Sequence, residues 1–355
     1  MKNNALVVGV SGIAGSNLVK ELITQGWGVY GLARNPKVAI EGVTPVAADL
    51  LDKEGLTIVL QDIELTHVFF TTWMRKETEA ENIIVNATLV RNLLDVLSPK
   101  KTVKHVALVT GLKHYLGPFE SYVKSGVLPI TPVREEHPRL ALENFYYAQE
   151  DEVYVAANRD GFTWSVHRPH TLIGHAVGNL MNMGITLAVL ASICKEEGLP
   201  LVWPGSEAQW NGLSDVTDAR ILAKQLVWAA TTESAFNQAF NVTNGDVFRW
   251  KQLWEELANY FQIPFEGYKD QIRPLEPILA QKSDVWQTIV AKNGLQPIAL
   301  KQLVSAWHTD ADLGRPIEVV TDMSKSRKLG FTAYKTTKDS FIELFEQLRA
   351  ERLIP

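Results

Sequence analysis

Tyr146 and Tyr147 stand side by side in ENFYYAQEDEVYVAANRDGFTWSVHRP (143–169), at the start of a stretch with helical periodicity. A tyrosine hydroxyl, with an ordinary pKa of about 10, can donate a hydrogen bond to an oxygen that gains negative charge. A nearby ammonium strengthens that donor by favouring the phenolate. A lysine four residues on, one helical turn away, would supply the cation. Here those positions hold Glu150 and Asp151. The cation must come from another element, and Lys113 in LVTGLKHYLGPFESY (108–122) is the candidate. It follows a strand-like run closely, which places it at the carboxyl edge of a sheet, where open α/β folds bind ligands. Tyr147 lies about 100° around the helix from Tyr146 and competes with it for the same role.

A second chemical feature opens the chain. ALVVGVSGIAGSNLVKELITQG sets Gly9, Gly12 and Gly15 in a G-x-x-G-x-x-G turn between an apolar strand and an amphipathic helix. Gly9 permits the tight turn, Gly12 lets backbone approach a pyrophosphate, and Gly15 allows close helix–strand contact. The helix start offers free N–H groups and a positive dipole end to phosphate, with Ile13 and Ala14 in the same turn. The spacing is that of short-chain dehydrogenases/reductases. The second strand ends YGLARNP, where an acidic residue would bind a ribose 2′-hydroxyl; Arg34 stands there instead and suits a 2′-phosphate. A solvated surface arginine is the alternative. Asp49 and Leu50 close the third strand, where the adenine is expected.

These residues need a scaffold, and the first half of the chain supplies its pattern. ALVVGV, GVYGLA, HVFFTT, HVALVT and TWSVHRP read as nearly continuous apolar strands, and GSNLVKELITQG and NIIVNATLVRNLLDVL as helices between them. That alternation predicts a Rossmann-type, doubly wound parallel sheet over residues 1–169. Residues 170–355 read as a smaller, mostly helical substrate-binding region, with a segment near 211–245 (AFNVTNG its strand) returning to the sheet. Six of the ten tryptophans fall between Trp203 and Trp286, which suggests aromatic packing over a cleft, or a plain core. The chain's 355 residues give ample core, and a net charge of −5 argues against nucleic acid or an anionic membrane as partner. The single cysteine, Cys194, excludes an internal disulfide and cysteine-based zinc. No metal spacing stands out among His, Asp and Glu. Lys2 leads straight into an apolar strand, so a cytoplasmic protein is expected.

TGLKHYLGPFESY, NFYYAQED and HRPHTLIG, with THVFFTTW, ICKEEGLPLVWPG, AFNVTNGDVFRWKQLWEELA and KSRKLGF, resemble the progesterone 5β-reductase/iridoid synthase-like enone reductases over essentially the whole chain. The resemblance implies that Lys113 and Tyr146 are the catalytic pair. It also implies NADPH as cofactor, and Trp73 and Phe119 as pocket residues. The full expected cofactor set is Gly9, Gly12, Ile13, Ala14, Gly15, Arg34, Asp49, Leu50, Thr72, Trp73, Lys113, Tyr146, Pro169 and Thr171, with Trp73, Phe119 and Tyr147 on the substrate.

The implied reaction is reduction of a C=C bond conjugated to a carbonyl: hydride reaches the β-carbon, and Tyr146 stabilises the enolate oxygen. Two other readings stand beside it, an extended short-chain dehydrogenase acting on a ketone or aldehyde, and a non-catalytic NADP(H) sensor. The expected partner is a small enone, and a homodimer fits the superfamily.

Overall fold

The structure is a computed structural model that describes residues 3–36, 40–117, 129–179 and 181–355. Seven parallel strands form one sheet: β1 (Asn4–Val8), β2 (Gly28–Ala33), β3 (Val43–Ala47), β4 (His67–Phe70), β5 (His105–Val109), β6 (Thr163–Pro169) and β7 (Gln238–Val242). Their order is β7-β6-β5-β4-β1-β2-β3. Register is continuous through the centre, where Val8 pairs with both Leu32 and Phe70, and Leu108 with Phe70 and Val166. Strands covered on both faces need apolar side chains on both, and Ala5 to Val8 have no solvent exposure at all.

One face is covered by α1 (Ile13–Thr24) and by a helix from the second half, Ala219–Thr231, whose Leu222 and Leu226 meet Leu18 and Leu22 of α1. On the other face lie α2 (Lys53–Leu60) and α3 (Glu79–Leu97), followed after β5 by the single turn α4 (Lys113–Leu116) and by α5 (Phe145–Asp160). Thr78 caps α3 in a reciprocal box with Glu81. Asn144 caps α5, accepting from the Tyr146 N–H at 3.1 Å, and Gly161 ends it at φ +79°. The strand order reverses between β1 and β4, so a crevice opens at their carboxyl ends.

After Pro169 the chain builds a second core from helices Met183–Glu197, Trp250–Phe261, Ser283–Asn293, Ala306–Leu313 and Thr337–Ala350. Trp203, Trp250, Trp254 and Trp286 are fully buried in it. The tryptophan cluster is therefore core packing, and the indoles that reach the crevice are Trp73 and Trp307. The chain re-enters the sheet through β7, which pairs with β6 from Gln238–Ser165 to Val242–Pro169. Among the described residues, no helix is long and apolar enough to cross a membrane.

Candidate active site

A cavity of about 1170 Å³ runs along the carboxyl edge of the sheet, from the glycine turn after β1 to helix Ala306–Leu313. Gly9, Gly12, Ile13, Ala14, Arg34, Thr72, Trp73, Lys113, Tyr146, Pro169 and Thr171 line it together. The turn is built for close approach. Gly9 sits at φ +84°, and a Cβ there would lie 2.8 Å from that of Thr72. A Cβ on Gly15 would come within 2.3 Å of the Gly9 carbonyl oxygen, so Gly15 lets α1 pack on the turn without itself reaching the cavity. No side chain caps α1, and its first turn carries no acidic residue. Its leading N–H groups are thus left for an anion at the cavity wall, which fits the phosphates of a dinucleotide. Arg34, exposed just past β2, adds a cation at that end.

Asp49 and Leu50 do not join this set. Asp49 is exposed and accepts from the Leu51 N–H at 2.9 Å, whereas Leu50 is buried among the residues beneath the sheet. Phe119 lies outside the described residues.

The catalytic candidates meet where α3, α4 and α5 begin. Lys113 Nζ binds both carboxylate oxygens of Glu79, at 2.8 and 2.7 Å, and sits 4.5 Å from the centroid of the Phe145 ring. Glu79 Oε1 also accepts from the Phe145 N–H at 2.8 Å, and Asn144 Nδ2 donates to the Lys113 carbonyl at 2.9 Å. The lysine loop and the tyrosine helix are thereby tied together twice. Trp73 stacks on Phe145 with ring centroids 5.0 Å apart. Its own loop is held by fully buried Asn86, which accepts from the Met74 N–H and donates to the Met74 carbonyl, both at 2.8 Å.

Tyr146 is half-buried, with its hydroxyl against Gly111: a Cβ there would lie 3.3 Å from the phenol oxygen. Among the described residues that hydroxyl has no hydrogen-bond partner. Burial, and then the charge of Glu79, push the phenol above its ordinary value.

Tyr147 is turned away, which corrects its expected place on the substrate. Its hydroxyl donates to the His114 carbonyl at 2.6 Å, accepts from the Leu140 N–H at 2.9 Å, and does not line the cavity.

Glu150, where the helical lysine would stand, is buried behind the site. It binds Arg139 Nη2 at 2.9 Å and Arg168 Nη2 at 3.2 Å, with His114 Nδ1 at 3.5 Å. Burial alone would raise its carboxyl, but His114 and the two guanidinium groups outweigh it and hold the group below the usual range. The far wall carries a chain of buried polar groups. Asp215 Oδ1 meets His170 Nδ1 at 2.8 Å, Arg315 Nη1 meets His170 Nε2 at 2.8 Å, and Arg315 reaches Asp312, which accepts from Thr171 Oγ1 at 2.6 Å. Because arginine only donates, His170 accepts at Nε2 and faces Asp215 with Nδ1, bridging the two. Arg75, on the loop after β4, lies 4.1 Å over the Trp307 ring and joins the two walls. Among the described residues, no group of three or more His, Cys, Asp or Glu is placed to hold a metal.

Sequence reasoning missed Glu79, Asp312 and Arg315. The first reads as an ordinary acid in a helix's first turn, and the others lie more than 140 residues from their partners Thr171 and His170.

Comparison with known proteins fits this geometry. The chain is 39% identical to the (S)-8-oxocitronellyl enol synthase of Nepeta cataria over 363 residues, covering 99% of this chain and 93% of that protein. It is 38% identical to the 3-oxo-Δ4,5-steroid 5β-reductase of Arabidopsis thaliana over 364 residues, with coverage of 99% and 93%. The fold also matches UDP-glucose 4-epimerases at low identity. The Thermotoga maritima enzyme with UDP-glucose has a TM-score of 0.67 at 15% identity, covering 98% of this chain and 99% of that one. The Thermus thermophilus enzyme in complex with NAD has 0.66 at 17%, covering 98% and 99%. Residues 47–355 match the PRISE-like Rossmann-fold domain, and the chain belongs to that family.

Proposed function

We propose that this protein is an NADPH-dependent reductase of carbon–carbon double bonds conjugated to a carbonyl. The observation that carries this reading is the Tyr146 hydroxyl, without a hydrogen-bond partner among the described residues, at the cavity wall beside the Lys113 loop. The two named relatives, an enol synthase and a reductase of a 3-oxo-Δ4,5 steroid, support the same chemistry. The Gly9–Gly15 turn and the uncapped start of α1 would hold the pyrophosphate, and Arg34 a 2′-phosphate. When bound, the nicotinamide supplies hydride to the β-carbon of the substrate.

Negative charge then gathers on the carbonyl oxygen as an enolate, and the Tyr146 O–H is placed to donate to it. A phenol pushed above its ordinary value stays protonated at any physiological pH but is a poor acid. That suits a donor that stabilises an enolate, whose carbon can take its proton from water. It suits ketone reduction less well, because an alkoxide requires transfer of the proton itself. Trp73 and Phe145 supply a flat aromatic wall for the enone. The reading places the enzyme in the cytoplasm, acting on a small diffusible substrate.

The test is NADPH oxidation with 2-cyclohexen-1-one, a steroid enone and a simple ketone, with products identified. Saturated ketones from the enones are expected. Tyr146→Phe and Lys113→Met should each lower enone turnover by about 10²–10³ with NADPH affinity retained. An alcohol formed from the simple ketone at a comparable rate would overturn the reading.

A further inference from the structure

We propose that Glu79 is a positioning residue of this reaction: its carboxylate holds the Lys113 ammonium and the first peptide of the Tyr146 helix in one arrangement, and supplies the counter-charge beside the phenol. The inference rests on the function proposed above and concerns a residue with no role in it so far.

The geometry is more specific than an ion pair on a surface. Both Glu79 oxygens contact Lys113 Nζ, and Oε1 additionally takes the Phe145 N–H at 2.8 Å. That N–H is one of those the first turn of α5 leaves without an intrahelical partner. One carboxylate thus joins the first turn of α3, the first residue of α4 and the first residue of α5. Asn82 Nδ2 lies 3.4 Å from Oε2 on the fourth side. Lys113 and Glu79 side chains are each 21% exposed, so solvent screening is reduced but not abolished.

The rest of the polar surroundings is arranged so that Glu79 is the carboxylate that acts on the phenol. Glu150, on the same helix, is taken up by Arg139 and Arg168, and Asp151 by Arg139. Asp312 on the far wall is taken up by Arg315 and Thr171. On the loop before α3, Arg75, Lys76 and Glu77 are exposed to water. Burial and then the charge of Glu79 raise the phenol. Removing the carboxylate charge removes its push on the phenol and so lowers the phenol's titration point.

A structural anchor and a positioning residue differ in what they change. Glu79→Gln keeps an oxygen for the Phe145 N–H but loses the charge; Glu79→Asp keeps the charge but is shorter by one methylene. With 2-cyclohexen-1-one as probe, Glu79→Gln should lose about tenfold in kcat, with the NADPH KM within about twofold of wild type. Its activity should also fall at lower pH on the alkaline side than that of wild type, because the lost carboxylate charge no longer disfavours the phenolate. Glu79→Asp should keep the wild-type alkaline limb and recover part of kcat. Unchanged kcat and an unchanged alkaline limb in Glu79→Gln would overturn the proposal. So would equal losses in both variants with no movement of the limb, which is the behaviour of a fold anchor. If the wild type reduced no enone, the underlying reading would fail instead. Glu79 would then be judged by phenol titration in ultraviolet difference spectra against Tyr146→Phe, where no downward shift in Glu79→Gln overturns it.

Discussion

Replacing Glu150 tests whether the cation was moved to Lys113 or merely lost from the helix. The Glu150 side chain is 1% exposed and binds two guanidinium groups, at 2.9 Å to Arg139 and 3.2 Å to Arg168. Arg168 is itself buried and also donates to the Tyr115 hydroxyl at 3.0 Å. Glu150→Gln keeps the volume and removes the charge, which leaves a buried guanidinium uncompensated. Breaking a buried pair in this way costs about 3–5 kcal/mol. Spread over 355 residues at roughly 2.1 cal/mol/K each, that lowers Tm by about 4–7 °C. Glu150→Lys restores the Tyr-x-x-x-Lys spacing from Tyr146 but brings a third cation against Arg139 and Arg168, so its Tm should fall further. The decisive comparison is the double variant Lys113→Met/Glu150→Lys, assayed with NADPH and 2-cyclohexen-1-one below its own Tm. The position faces His114 and Arg168, not the cavity, so turnover should stay at the level of Lys113→Met alone. Recovery to within about tenfold of wild type would refute the reasoning, because it would show that a lysine one turn along the helix reaches the phenol after all.

Three further outcomes follow from other parts of the molecule. Gly15→Ala puts a Cβ 2.3 Å from the Gly9 carbonyl and should abolish measurable NADPH binding by calorimetry, whereas Gly12→Ala, with 3.3 Å to the same atom, should only weaken it. Arg34→Ser should raise the KM for NADPH by about tenfold or more and leave that for NADH nearly unchanged, the loss of one charge-assisted contact to phosphate. Burial pushes His67 and His167 down to about 4 and His105 down to about 3. These groups are neutral when folded and take up protons on unfolding below about pH 6.5, so the stability they lend at neutral pH is lost as pH falls from there toward 4. Each adds up to about 1.4 kcal/mol per pH unit to the slope, and His105→Asn should flatten denaturant midpoints measured between pH 6.5 and 5.

The parts of the fold that were legible in the sequence are those whose causes are local. Continuous apolar runs such as HVFFTT gave strands because both faces of the sheet are covered, and Gly9, Gly12 and Gly15 gave the turn because their backbone needs are met within one turn. Lys113 could be placed by its distance from the end of β5. Glu79 could not, because an acid after a capping threonine has a sufficient local reason in the helix dipole, and its link to Lys113 spans 34 residues. Tyr147 failed for a related reason: helical phase separates it from Tyr146 but says nothing of the His114 carbonyl that takes its hydroxyl. Glu150 marked a missing lysine in the sequence, whereas in the structure it is the centre of a buried ion cluster.

On the reading proposed above, the cation comes from outside the tyrosine's own helix, which changes what fixes it in space. A lysine one turn from a tyrosine is held by helix geometry alone. Here the pair depends on tertiary contacts: the Leu112 N–H to the Pro169 carbonyl at 3.2 Å, Asn144 to Lys113, and Glu79 to both Lys113 and Phe145. Pro169 ends β6, Glu79 begins α3 and Asn144 caps α5, so the cation is set by three elements whose other ends sit in the core. Their mutual position is in turn set by the packing of α3 on α5 beneath the sheet, around Val90, Leu94, Val153 and Ala157. Substitutions in that apolar seam, far from any substrate, therefore act on the distance between an ammonium and a phenol. In a Tyr-x-x-x-Lys enzyme the same substitutions would move both groups together.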